Sequence, residues 1–395
     1  MELQIGIGFS DHQYALKAAE QASDQALETL GSDRISLALL FVTPHYAPGE
    51  LTRWLQNKLD HPTLCGTTCP DIIHNTAMFH RGIMIVLLSS EALKCSSAHI
   101  PHLDLQDTRL AGKKILQKCC QGFGKHNLNL FLSFFDSSLT HISNLKQGLS
   151  EEIGGSFPVI GAGGGPAVPG QKSYQYCDNA FFTKGAAGMA FGGGVISYSS
   201  CHHGWSPLGK PRTVTQSVKN IIHAIDERPA ADLYENFFDF DPAKISAYNF
   251  DMLTHRYPLG IFCGHKKDFL LKKTLAVKKD GTIVCQEHIP EGAEIHIMLA
   301  NKESCLQAAE RAAKDIKKQA GNRNIQCLLI LQSVMQRYIL SRNWRQSIER
   351  IIDVLGHDFP IVGMTTDGEL YDSPAHERLD RMYRLNGNLL LLGLT

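Results

Sequence analysis

Hydrophobic positions along the chain switch between helical and strand spacing, and the same succession returns three times. Ala15, Ala19, Ala22, Ala26 and Leu30 lie on one helical face that stops at Gly31, a residue suited to a C-cap. The apolar run 35–42 predicts a strand and 51–59 a short helix. Pro62-Thr63-Leu64-Cys65-Gly66 comes next, and a strand is predicted over 82–88. In the second round Ala111, Ile115 and Cys119 share a helical face ending by Gly122 or Gly124. A strand over 128–135 and a helix over 139–153 lead to Phe157-Pro158-Val159-Ile160-Gly161, and another strand is expected over 186–198. The third round is the clearest. Leu306, Ala309, Ala313, Ile316 and Ala320 step 3-4-3-4 to Gly321, a strand spans 325–331, and Trp344, Ile348, Ile351 and Leu355 mark a helix. Phe359-Pro360-Ile361-Val362-Gly363 and a final strand over 388–394 close it.

The shared order is helix, strand, helix, a Pro-x-x(x)-Gly segment, a loop and a strand. Fully apolar strands alternating with amphipathic helices predict an α/β fold, with repeated helix-strand-helix-strand units forming layered sheets covered on both faces. Gly66, Gly161 and Gly363 read as equivalent turns, 95 and 202 residues apart, so the second gap holds an insert. There, Val214, Val218, Ile221, Ile222 and Ile225 predict an amphipathic helix, and Pro229 opens another over 230–237. Segments 269–277, 282–286 and 294–299, with turns at Asp280-Gly281 and Pro290-Glu291-Gly292, predict an antiparallel meander. Two prolines in the seven residues from Trp205 place a domain boundary near 205–215, giving domains 1–210 and 211–395.

Charge and cysteine content narrow the function. Lys+Arg and Asp+Glu both number 39, so the net charge is zero. That removes the electrostatic footprint of a nucleic-acid binder and of a basic membrane-surface patch. The first residues lack the basic and apolar regions of a signal peptide, and no apolar run approaches the roughly 18 residues of a membrane span. Eleven scattered cysteines read as reduced core residues of a cytoplasmic protein.

Twelve of the 34 glycines lie between Gly154 and Gly194. Gly161-Ala162-Gly163-Gly164-Gly165-Pro166 ends in proline and precedes no helical pattern, so it reads as a flexible or tightly turned connection rather than a nucleotide loop. Cys201-His202-His203-Gly204-Trp205 lacks paired metal-ligand spacing, and Cys65-x-x-x-Cys69 has no second pair. No metal and no cofactor is expected. The sequence holds no nucleophile elbow, zinc-protease helix, kinase set or recognisable output domain, which leaves no named catalytic residue. The richest polar segment is Gly363-Met364-Thr365-Thr366-Asp367-Gly368-Glu369, with Ser333 and Arg337 after the neighbouring strand. Either Arg337 and Glu369 face one cavity, where they would take the carboxylate and ammonium of a small zwitterion, or they pair with each other or with solvent.

The ordered set of segments resembles the FIST (F-box and intracellular signal transduction) family, N-terminal and C-terminal domains together. It runs through His203-Gly204-Trp205-x-Pro207-Leu208-Gly209, Val214-Thr215, Ile225-Asp226-x-x-Pro229-Ala230-x-x-x-Tyr234 and Ile289-Pro290-Glu291-Gly292. It continues through Ser333-Val334-x-x-Arg337, Pro360-Ile361-Val362-Gly363 to Gly368-Glu369, and Asn386-Gly387. The resemblance implies a sensory input module for small ligands such as amino acids, working through a separate signalling partner. The candidate ligand-binding set is Ser333, Arg337, Gly363, Thr365, Thr366, Gly368, Glu369 and Asn386, with His203 and Trp205. Ser333 stands where the family often has cysteine, and Asp367 where it often has an aromatic. The first two units carry Cys69-Pro70-Asp71 and Gly164-Gly165-Pro166 in place of the Gly-Glu ending, which concentrates the expected site on the third unit. Two other classes stay open: a thiol- or metal-dependent enzyme using Cys201, His202 or His203, and a protein-interaction scaffold.

Overall fold

The computed structural model describes residues 3–121, 123, 128–153, 157–165, 171–238, 247–263, 269–372 and 384–395. Its first unit contains β1 (Gln4–Ser10), α1 (Ala15–Leu30), β2 (Leu37–Val42), α2 (Leu51–Lys58), β3 (Thr63–Thr68), the hairpin β4 (Ile72–His74) and β5 (Ala77–Phe79), and β6 (Ile83–Ser89). The second repeats that order with β7 (Leu93–Ile100), α3 (Thr108–Cys119), β8 (Leu128–Asp136), α4 (Ile142–Ile153), β9 (Val159–Gly164), the hairpin β10 (Gln175–Cys177) and β11 (Ala180–Phe182), and β12 (Ala186–Gly193).

The third opens with β13 (Ser197–His203) and is interrupted by β14 (Ser206–Val218), β15 (Ile221–Ile225), β16 (Arg228–Pro229), α5 (Asp232–Phe238), α6 (Ala247–Arg256), β17 (Leu259–Phe262), β18 (Phe269–Lys272), β19 (Thr274–Val277), β20 (Ile283–Cys285) and β21 (Glu294–Leu299). It resumes with α7 (Lys302–Ala320), β22 (Cys327–Ser333), α8 (Val334–Leu340), α9 (Trp344–Leu355), β23 (Ile361–Thr366), β24 (Glu369–Asp372) and β25 (Asn388–Leu394). The mixed α/β class expected from the pattern is the observed one.

In each unit two strands run parallel (β2 with β3, β8 with β9, β22 with β23) and the last strand pairs antiparallel with the first of the two. Each sheet then takes a strand from another unit. β4 joins β23, β10 joins β3, and β24 joins β9, so the first unit completes the third, the second completes the first, and the third completes the second.

Both faces of these sheets are covered, which explains the continuous apolar strands. On β2, Ala38, Leu40 and Val42 face α1 and α2, while Leu37, Leu39 and Phe41 enter a core shared with Leu132, Phe134, Leu329 and Leu331 of the other sheets. On β22, Leu328 and Ile330 face α7 and α9. A fourth, antiparallel sheet in the order β18-β17-β21-β14-β15-β20-β19 is built entirely from the insert.

Five local expectations change. The segment expected over 269–277 is two strands, β18 and β19, broken at Lys273 and lying at opposite ends of their sheet. Val214 through Ile225 form the hairpin β14–β15 instead of a helix. Their i, i+4, i+7 spacing fits both, but β-branched side chains pack better on a sheet, and Val218 is exposed while Val214 and Ile222 are fully buried. Pro229 sits in β16, and the helix starts at Asp232. The strand expected over 186–198 is two strands, broken at Gly193, which adopts φ +83°. Gly66, Gly161 and Gly363 lie inside β3, β9 and β23, not in turns; the run after Gly161 is likewise a central strand as far as Gly164. Pro166, Gly122 and Gly124 lie outside the described residues.

Close packing is the reason for these glycines. A Cβ at Gly363 would sit 2.0 Å from the Ile330 carbonyl oxygen, and one at Gly66 would sit 2.1 Å from that of Leu40. Gly363→Ala is therefore expected to cost about 1–3 kcal/mol, read as a lower urea midpoint. The same effect hid β1 from the hydrophobic pattern, because Gly6 and Gly8 touch the backbone of α1 where apolar side chains would otherwise signal a strand.

Candidate functional site

A cavity of about 630 Å³ lies where the carboxyl ends of strands from all three units converge under the insert. His45 follows β2, and Pro70 with Asp71 follows β3. Ser137, Ser138 and Thr140 follow β8, Arg337 and Tyr338 stand on α8 directly after β22, and Asp367 follows β23. The insert adds Asp251 and His255 from α6, Lys273 and Leu275 around the start of β19, and Gln286. Strand ends of α/β sheets are the usual ligand positions because rigid strands there present loops with free polar groups.

Two charged clusters line this cavity. In the first, Arg337 Nε lies 2.7 Å from Asp71 Oδ2. Thr365 Oγ1 donates to that same carboxylate at 3.1 Å and accepts the Asp71 N–H at 2.9 Å. His80 engages the other Asp71 oxygen through Nδ1, and Arg337 Nη2 stands 3.5 Å from that nitrogen. In the second, Lys273 Nζ lies 3.6 Å from Asp251 and 3.8 Å from Asp367. Burial works against the charge on Asp367, but Lys273, Arg384, His255 and the Ser137 hydroxyl outweigh it and hold its carboxyl below the usual range. Burial, reinforced by Lys273, pushes His255 down, which leaves its imidazole neutral at pH 7.

Of the ten residues proposed from sequence, Arg337 lines this cavity, and Thr365 supports it from behind by holding Asp71. Arg337 and Glu369 do not meet. Glu369 is fully buried, accepts from the Thr366 hydroxyl at 2.5 Å and from the Asn388 N–H at 3.4 Å, and burial pushes its carboxyl up to about 8. Ser333 Oγ accepts from the N–H groups of Met335 and Gly387, tying α8 to the approach of β25. Gly368, at φ +94°, leaves space filled by the Arg384 guanidinium, and Gly363 is the close-packed strand glycine described above. Asn386 donates to the Leu271 carbonyl. His203 contacts the Phe269 carbonyl through Nε2 and accepts the Trp205 N–H, while the buried Trp205 indole donates to the Arg256 carbonyl. These last two fasten the insert to the third sheet.

Asp71, Lys273, Asp251, His255 and Asp367 were not in that set. Asp71 and Asp367 had a signal, since both close the segment that follows the strand glycine of their unit. Lys273, Asp251 and His255 had none. They reach the cavity only because the insert folds over the strand ends.

His202 Nε2 is 2.7 Å from Asp315 Oδ2, and Cys201 is buried. Among the described residues, no group of three or more His, Cys, Asp or Glu side chains is placed to hold a metal ion. Among the described residues no cysteine forms a disulfide. No helix among the described residues is long and apolar enough to cross a membrane.

The FIST N domain matches residues 36–228 and the FIST C domain residues 230–372. This chain belongs to the FIST family. FIST domains are signalling sensor domains, so membership supports a signal-input role. No curated protein matches the sequence. Among solved structures, the FIST chain is similar to a cyanuric acid hydrolase from A. caulinodans, with 8% identity, a TM-score of 0.42, and coverage of 100% of this chain and 99% of that one. It is also similar to PurLQS from Thermotoga maritima, with 8% identity, a TM-score of 0.24, and coverage of 99% of this chain and 72% of that one.

Proposed function

We propose that this FIST protein is a cytoplasmic signal-input module that binds a small zwitterion, an amino acid or related metabolite, without turning it over. One observation carries the reading: a single cavity at converging strand ends holds both signs of charge within reach of one small molecule. The terminal nitrogens of Arg337 suit the ligand carboxylate, and Asp251 with Asp367 suits its ammonium. This differs from the sequence-based assignment, which gave the ammonium to Glu369. The recurring sheet order supports reading the chain as three related units plus an insert, with the ligand at their shared centre. The response would pass to a separate signalling partner. Eleven cysteines, none of them in a disulfide among the described residues, suit a reducing compartment.

Thermal shift tests this. Amino acids at concentrations well above Kd should raise the melting temperature by mass action, and Arg337→Ala should abolish most of the shift while leaving the unliganded melting temperature within a few degrees. If amino acids and related metabolites shift nothing, or Arg337→Ala leaves a genuine shift intact, the proposal fails.

A further inference from the structure

We infer that the ligand is an α-amino acid with a bulky apolar side chain, its charged end held on the cavity floor and its side chain laid along an apolar rim. The inference rests on the zwitterion reading above and specifies what that reading leaves open.

The rim is the observation. Leu275 on β19 is 43% exposed and Tyr338 on α8 is 38% exposed, yet both line the charged cavity, together with half-buried Val334. Exposed large apolar groups scattered singly need no explanation; apolar groups gathered over a polar site are the composition of a ligand pocket. Tyr338 is also held in place, with its ring 4.8 Å from that of His255 and tilted 35° to it. A ring fixed in this way offers a ready face to an aromatic or branched side chain.

Size and charge agree with this ligand class. A volume of about 630 Å³ exceeds what an ammonium and a carboxylate alone would fill. Among the lining groups, Asp71, Asp251 and Asp367 face Arg337 and Lys273, with His80, His45 and neutral His255 beside them. With the buried Arg384 guanidinium set behind Asp367, three carboxylates stand against three cations, and this balanced lining favours a ligand carrying both an ammonium and a carboxylate over a simple anion.

Titration calorimetry with glycine, alanine, leucine, phenylalanine and 2-phenylethylamine tests the inference on the full chain. A Tyr338→Ala/Leu275→Ser double variant is run beside the wild type, its folding checked by melting temperature. Leucine or phenylalanine should bind about ten-fold or more tightly than glycine. The double variant should erase that preference with little change for alanine. Equal binding of glycine and phenylalanine, or a preference that survives in the double variant, overturns the apolar subsite and leaves the zwitterion reading standing. If no amino acid binds, or if 2-phenylethylamine binds as tightly as phenylalanine, both readings are overturned.

Discussion

Replacing Arg384 with methionine is expected to destabilise the protein by about 3–5 kcal/mol, read as a lower urea midpoint. This guanidinium is fully buried. Its Nη1 donates to the Ser137 and Leu139 carbonyls at 3.0 Å each, its Nη2 donates to the Asp367 carbonyl, and Phe135 lies 5.4 Å beneath it. One side chain thus ties the loop after β8 of the second unit to the segment after β23 of the third. Methionine would leave three buried carbonyls without these donors, and Asp367 would lose a cation that favours its ionised form. The exposed ion-paired Arg345 serves as the control, since Arg345→Met should change stability by no more than about 0.5 kcal/mol. A loss under about 1 kcal/mol at Arg384 would rule out this role. Ligand binding should weaken in the same variant, because the loops it fixes present Ser137 and Asp367 to the cavity.

Glu369→Gln should stabilise the protein at alkaline pH, by an amount that grows with pH. Burial raises this carboxyl to about 8, from an ordinary value of 4.5. The native state therefore keeps a proton that the unfolded chain releases at lower pH. Stability contributed by the neutral acid is complete below about 4.5, falls as pH rises, and is lost above about 8. The full swing is on the order of 3–5 kcal/mol. Glutamine mimics the neutral acid and can keep the contacts to Thr366 and Asn388. Melting temperatures at pH 5, 7 and 9 check this. The variant should match the wild type most closely at pH 5 and exceed it most at pH 9; a difference that is flat with pH would show that Glu369 is ionised throughout.

The α/β class and most elements of the three units were legible in the hydrophobic pattern, because strands covered on both faces must be apolar at every position. β25 (Asn388–Leu394) and α9 (Trp344–Leu355) match their expected spans for this reason. Legibility failed where backbones touch. Gly6 and Gly8 replace the apolar residues that would have announced β1, and the glycines of β9 looked like a loop. It failed again at Val214–Ile225, where one spacing fits helix and hairpin alike.

The candidate site was only partly legible. Arg337 was visible because it follows an apolar strand at the point where such folds bind ligands. Glu369 looked like its partner because it closes the polar segment Thr365-Thr366-Asp367-Gly368-Glu369 at a strand end, yet the start of β24 turns it inward against Thr366 while Asp71 arrives from another unit to pair with Arg337. The chain by itself thus determined most strands and helices of the three units, since periodicity and cap residues act within a few neighbours, but not β1, β9 or the β14–β15 hairpin. Tertiary structure alone decided which strand ends meet, because the exchange of β4, β10 and β24 among sheets joins residues more than a hundred positions apart. Local pattern carries no record of such pairings; they follow from which apolar faces can be buried together once all three units and the insert have formed.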